Sequence, residues 1–166
     1  NIIEEILARN HLPLTLAQSV MDHYITTLKA SKIKAVAIEG AESMLAALQS
    51  KAQLGIATAN LLAAAKHRLQ QVQLWSAVEK FAHGADGGGH KSDILDRAIK
   101  NLNLPPQRIV YIGDNINDVT AGLTHGVHFI GFSTDANRRQ TLANHGAIHI
   151  SANHLETTGL VLALLA

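Results

Sequence analysis

Short apolar runs alternate with helical stretches through the last two thirds of this sequence, and that alternation constrains the fold more than any other feature. Residues 54–58 (Leu-Gly-Ile-Ala-Thr), 80–83, 108–112, 127–132 and 147–150 read as strands. Helical patterns fill 61–74, 92–102 and 138–145 between them, and the apolar tail 159–166 reads as a closing helix. Such alternation predicts an α/β fold, a mostly parallel sheet with helices on both faces. Ahead of it, residues 1–30 place Ile2, Ile3, Ile6 and Leu7, then Val20, Tyr24, Ile25 and Leu28, at helical spacing, with a break near Leu12-Pro13. Two helices and a turn fit that stretch. Residues 32–40 then connect to a helix carrying Met44, Leu45 and Leu48 on one face.

A chain of 166 residues with 47% apolar content can bury one ordinary core and carry a small appendage. Its net charge is +1, and Arg138-Arg139 is its longest basic run, so nothing resembles an electrostatic footprint for nucleic acid or an anionic membrane. The expected partner is a small molecule. Cysteine is absent, which excludes disulfides and thiolate metal sites and suits a reducing compartment; a cytoplasmic location is expected. Glu4 and Glu5 stand where a signal peptide needs basic residues, and the 159–166 tail is too short to span a bilayer.

In open parallel sheets, ligands sit beyond the carboxyl ends of the strands. Three polar signals fall there. Thr58-Ala59-Asn60 offers a hydroxyl, backbone amides and a helix start, a combination suited to phosphate; alternatively Thr58 or Asn60 caps the next helix. Lys91 opens a helix, where the dipole disfavours a cation unless it faces a negative ligand; the alternative is a solvated lysine among Asp93 and Asp96. Asp114 and Asp118 follow the apolar run and Gly113, where hard oxygen ligands suit Mg²⁺. The competing use is an Asx-type turn with Asp118 as a helix cap.

Thr58, then Lys91, then Gly113-Asp114-x-x-x-Asp118 resemble, in order and spacing, the second, third and fourth motifs of the haloacid dehalogenase superfamily of phosphohydrolases. The likeness runs from about residue 36 to about residue 155 and looks closest to the phosphoglycolate-phosphatase-like branch. It implies a three-layer sandwich with a mostly parallel, Rossmann-like sheet, and a Mg²⁺-dependent phosphatase acting on a small phosphorylated metabolite. By the same resemblance Thr58, the Ala59 amide, Asn60 and Lys91 would bind the phosphoryl group, with Thr58, Lys91 and Asp114 in the catalytic set. Asp114 would bind the metal, and Asp118 would support it.

The family's first motif, an Asp-x-Asp on the central strand that supplies the nucleophile, has no counterpart, because no Asp-x-Asp occurs in the sequence. Residues 1–35 resemble the later part of a helical cap, and residues 36–166 resemble the α/β core lacking its first strand. The expectation is a fragment beginning within the cap and inactive alone, a natural non-catalytic relative being the alternative. A core without that strand would leave a gap at the sheet centre, with two edges open to self-association. The competing functions are a non-catalytic anion- or partner-binding module, and phosphomutase or dehalogenase chemistry on the same scaffold.

Overall fold

Each strand forms where an apolar run predicts it, and each is shorter than that run. They are β1 (Gly55–Ala57), β2 (Phe81–His83), β3 (Val110–Gly113), β4 (His128–Phe132) and β5 (His149–Ser151) in the computed structural model, which describes residues 2–166. Asn1 and the side chain of Ile2, both counted in the first predicted helix, lie outside the described residues. β3 starts late because Pro106–Arg108 forms a 3-10 turn in which the Arg108 amide donates to the Pro105 carbonyl. β5 starts late because Ala147 is still bonded to the preceding helix, through Leu142, and Ile148 is turned out to solvent.

The helices are α1 (Ile2–Arg9), α2 (Ala17–Ala30), α3 (Ala41–Gln49), α4 (Leu62–Gln71), α5 (Trp75–Val78), α6 (Lys91–Leu102), α7 (Ile116–His125), α8 (Ala136–Asn144) and α9 (His154–Leu165). The single helix expected over 61–74 ends early: Gln73 adopts the left-handed region at φ 58° and the chain restarts as α5. The closing helix is longer than the apolar tail, because Asn153 caps it by accepting from the Glu156 amide. Among the described residues no helix is long and apolar enough to cross a membrane.

All strand pairs are parallel, but they form two sheets: β1 with β2, and β3 with β4 with β5. Alternation along the strands sorts the core into two clusters. Tyr111 and Phe129 join Leu95 of α6, Val119 of α7 and Leu142 of α8, whereas Ile130 packs with Leu48 of α3 and Val161 of α9. Helices thus cover both faces, giving the three-layer α/β sandwich. α1 and α2 pack on each other, and α2 against α4.

The expected single sheet is interrupted between β1 and β3. Among the described residues neither strand has a partner on that side, and residues 55–57 and 110–112 line one cleft of about 510 Å³ together with Met44, Leu48, Leu95 and Val161. Gly55, in the middle of what would be a buried layer, is exposed.

Two histidines resist protonation in this fold. Burial lowers His154, which stacks on Phe132 at 4.6 Å, and burial followed by the nearby Arg97 lowers His83 at the end of β2. A folded-state pKa below the unfolded value means that the unfolded chain takes up protons first as pH falls, so stability drops through the ordinary imidazole range near pH 6.5. The melting temperature should therefore decline between about pH 7.5 and about pH 5, and His154→Phe, which keeps the stacking, should reduce that slope.

Candidate active site

The polar signals converge at the carboxyl ends of β1 and β3, across the cleft from one another. The link is Lys91, at the first turn of α6. Its Nζ donates to the Ala57 carbonyl at 2.8 Å and lies 3.0 Å from Asp118 Oδ1, with the Tyr111 ring 6.0 Å away. The dipole penalty expected for a lysine at a helix start is offset by these two acceptors within the chain. The Lys91 side chain is 20% exposed and that of Asp118 only 6%, so the pair is largely withdrawn from solvent and positions both groups firmly.

Asp118 is held from three sides. Tyr111 donates its hydroxyl to Oδ1, Lys91 shares that oxygen, and the Asn115 amide donates to Oδ2 at 3.2 Å. Burial first, and then the bond to Asp118, push the Tyr111 phenol well above its usual range, so it stays protonated and serves as a donor. The cap of α7 is shared: Asn115 is the cap residue, accepting from the Asn117 amide, and Asp118 completes the box. The capping use weighed for Asp118 is thus present, with Asn115 as the cap residue and Asp118 at the third helical position.

Gly113 is required by close approach. Its backbone is not left-handed; instead, a Cβ there would collide with the Asp118 side chain. Asp114 differs from Asp118 in almost every respect. Its side chain is 69% exposed, its carbonyl accepts from Arg138 Nε at 2.8 Å, and its Oδ2 lies 3.8 Å from Arg138 Nη2. Its carboxylate is the open acid of the pair.

The Thr58–Asn60 turn forms through its own hydroxyl: Thr58 Oγ1 accepts from the Asn60 amide at 3.1 Å. The Thr58 amide donates to His83 across the β1–β2 pair, and the Asn60 carbonyl accepts from Ala85, so the turn is pinned to the end of β2. Among the described residues the Ala59 amide meets no acceptor and stands exposed. Neither Thr58 nor Asn60 caps α4. Asp86 does so, its Oδ2 accepting from the Leu62 amide at 2.7 Å. Its carboxylate has no signal in the local sequence, since its partner lies 24 residues away. Arg138 was equally hidden: only the fold brings α8 beside the turn after β3.

Of the positions that the resemblance marks, Lys91 and Asp118 are in direct contact, and Lys91 also bonds the carbonyl of Ala57, the residue before Thr58. The Asn60 amide is spent within the turn. Among the described residues no three histidine or acidic side chains converge as a metal cage.

This arrangement belongs to a known class. The model of the haloacid dehalogenase-like hydrolase family matches residues 3–132, and the chain belongs to that family. Solved structures agree in fold. A predicted phosphatase from Clostridium acetobutylicum superposes with a TM-score of 0.75 at 23% identity, over 97% of this chain and 76% of that one. A haloacid dehalogenase-like family hydrolase from Streptococcus pneumoniae gives 0.73 at 19% identity, over 95% and 75%. A haloacid dehalogenase-like protein of unknown function from Agrobacterium tumefaciens gives 0.71 at 17% identity, over 100% and 78%. No curated protein matches the chain.

Two substitutions test the geometry. Lys91→Met leaves a buried carboxylate without its cation and should cost about 3 kcal/mol, whereas the Lys91→Met/Asp118→Asn double variant should cost less than the sum of the two singles in urea unfolding. Gly113→Ala should cost about 1–3 kcal/mol by forcing the Asp118 side chain aside, measured in the same way.

Proposed function

We propose that the chain is the phosphate- and metal-binding part of a Mg²⁺-dependent phosphatase acting on small organic phosphates in the cytoplasm. The observation that carries this reading is the bridge that Lys91 makes between the Ala57 carbonyl, next to Thr58, and Asp118, with the open Asp114 carboxylate on the turn after β3. Membership of the hydrolase family, and the likeness in fold to a predicted phosphatase, support it. The proposed division is a partial helical cap over residues 1–35, of which 2–35 are described, and a core over 36–166.

In this reading the exposed Ala59 amide and the Thr58 hydroxyl hold phosphoryl oxygens, and the Lys91 ammonium balances their charge. Lys91 can do so because the Ala57 carbonyl and Asp118 hold its Nζ between the ends of β1 and β3. The chain's residues suit Mg²⁺ in a limited way. Asp114 has oxygens to offer, whereas both Asp118 oxygens are engaged, so Asp118 supports the site by orienting Lys91 and the turn. One carboxylate accords with an ion that keeps several waters and shares a substrate phosphate. When bound there, the cation would neutralise phosphoryl charge.

The nucleophile of the family motif is not among these residues, and the cleft between β1 and β3 suits the strand that would bear it. Both walls offer parallel strand edges, and the lining is largely apolar. The same open edges support self-association when nothing else pairs with them. Uncatalysed phosphate-monoester hydrolysis is slow enough to need acceleration on the order of 10²¹-fold, which charge stabilisation without a nucleophile does not supply.

The test is hydrolysis of p-nitrophenyl phosphate with Mg²⁺. The chain alone should show no turnover above background, and the chain fused at its N-terminus to an apolar strand ending in Asp-x-Asp should gain Mg²⁺-dependent turnover. Rapid turnover by the chain alone would overturn the assignment of roles. A folded fusion that binds phosphate but hydrolyses nothing would overturn the phosphatase reading.

A further inference from the structure

We infer that the esterified group of the substrate is compact, uncharged and predominantly apolar. The inference rests on the phosphate site proposed above and deepens it. A second cavity, of about 300 Å³, lies between α2 and the turns that follow β1 and β2. Val20 and Tyr24 of α2 form one wall, Leu61 and Ala85 another, and Ala59 and Asn60 of the proposed phosphate turn close it. The turn that would hold the phosphoryl group is therefore also a wall of this cavity, so whatever is esterified to that phosphate has this cavity beside it.

Among the described residues no charged side chain lines the cavity. The Tyr24 hydroxyl is engaged by Arg68 Nη2 at 3.4 Å, and the amide of Asn60 is spent on Thr58, which leaves the Asn60 side chain as the wall's polar handle. A second carboxylate, phosphate or ammonium on the substrate would lose its water there without gaining a counter-ion, whereas an alkyl or aryl group would bury apolar surface against Val20, Tyr24 and Leu61. The volume is at the small end for ligand sites and about twice that of a cavity known to hold benzene, room for one ring with a short substituent or for a chain of about five carbons.

The experiment is calorimetric binding of non-hydrolysable phosphonates to the chain with Mg²⁺: inorganic phosphate, methyl- to pentylphosphonate, benzylphosphonate, and a carboxyalkylphosphonate matched in length to pentylphosphonate. Affinity should rise about fourfold per methylene along the alkyl series, the ratio corresponding to one buried CH₂. The carboxyalkyl compound should bind at least about tenfold more weakly than its alkyl counterpart. Val20→Asn, which replaces an apolar wall of the cavity without adding a charge beside the phosphate turn, should abolish the dependence on chain length while inorganic phosphate still binds. A flat alkyl series with phosphate binding intact would overturn the inference and spare the site. A length dependence that survives Val20→Asn would place the apolar group elsewhere, in the cleft between the sheets, and overturn it too. Failure of every compound, phosphate included, would remove the phosphate site and the inference together.

Discussion

The ion pair between Lys91 and Asp118 is the contact on which the rest of this structure depends. β1 and β3 share no backbone hydrogen bonds, so the two sheets cannot hold one another as ordinary neighbours in a parallel sheet do. Lys91 bridges them instead: one Nζ reaches the last carbonyl of β1 and the buried carboxylate at the start of α7. The rest of α6 reinforces the bridge from below, with Leu95 packed among Tyr111, Val119 and Phe129 while the helix also rests on β1 and β2. A buried pair of this kind adds little net stability when complete, but losing either member is costly, which makes it a device for fixing position.

Several features follow from that constraint. Asp118 can accept from Lys91 only if it lies flat against the strand end, which requires the bare backbone of Gly113 and the protonated Tyr111 hydroxyl beneath it. Because Asp118 is spent in this way, Asp114 alone projects into solvent, and the two acids divide into an orienting group and an open one. The Thr58 turn is registered to Lys91 through the neighbouring Ala57 carbonyl and to β2 through His83 and Ala85. The candidate site is thus built on the ends of strands belonging to both sheets, above a cleft that neither sheet closes.

Much of this was legible in the sequence. Short apolar runs located every strand to within about two residues, and β3 and β4 carry residues for both faces of the core. Thr58, Lys91, Asp114 and Asp118 were legible because strand ends and helix starts are marked by local residue types. The want of an Asp-x-Asp, together with a resemblance to a fold that uses one, anticipated a sheet open at its centre. The break at Gln73 escaped because no glycine marks its left-handed residue; the cap that Asp86 provides for α4 and the approach of Arg138 to Asp114 escaped because they require chain segments that only folding brings together.

The sequence by itself determined the α/β layering and the places where polar groups meet strand ends, because both depend on periodicity and on residue types within a few positions. Tertiary structure decided which acid is buried and which is open, and which partner Lys91 takes. It also decided that the Thr58 turn forms a wall of an apolar cavity under α2. Those outcomes depend on the packing of α2, α6 and α8 over the strand ends, and the energy of a buried charge or an apolar wall is set by neighbours distant in the chain.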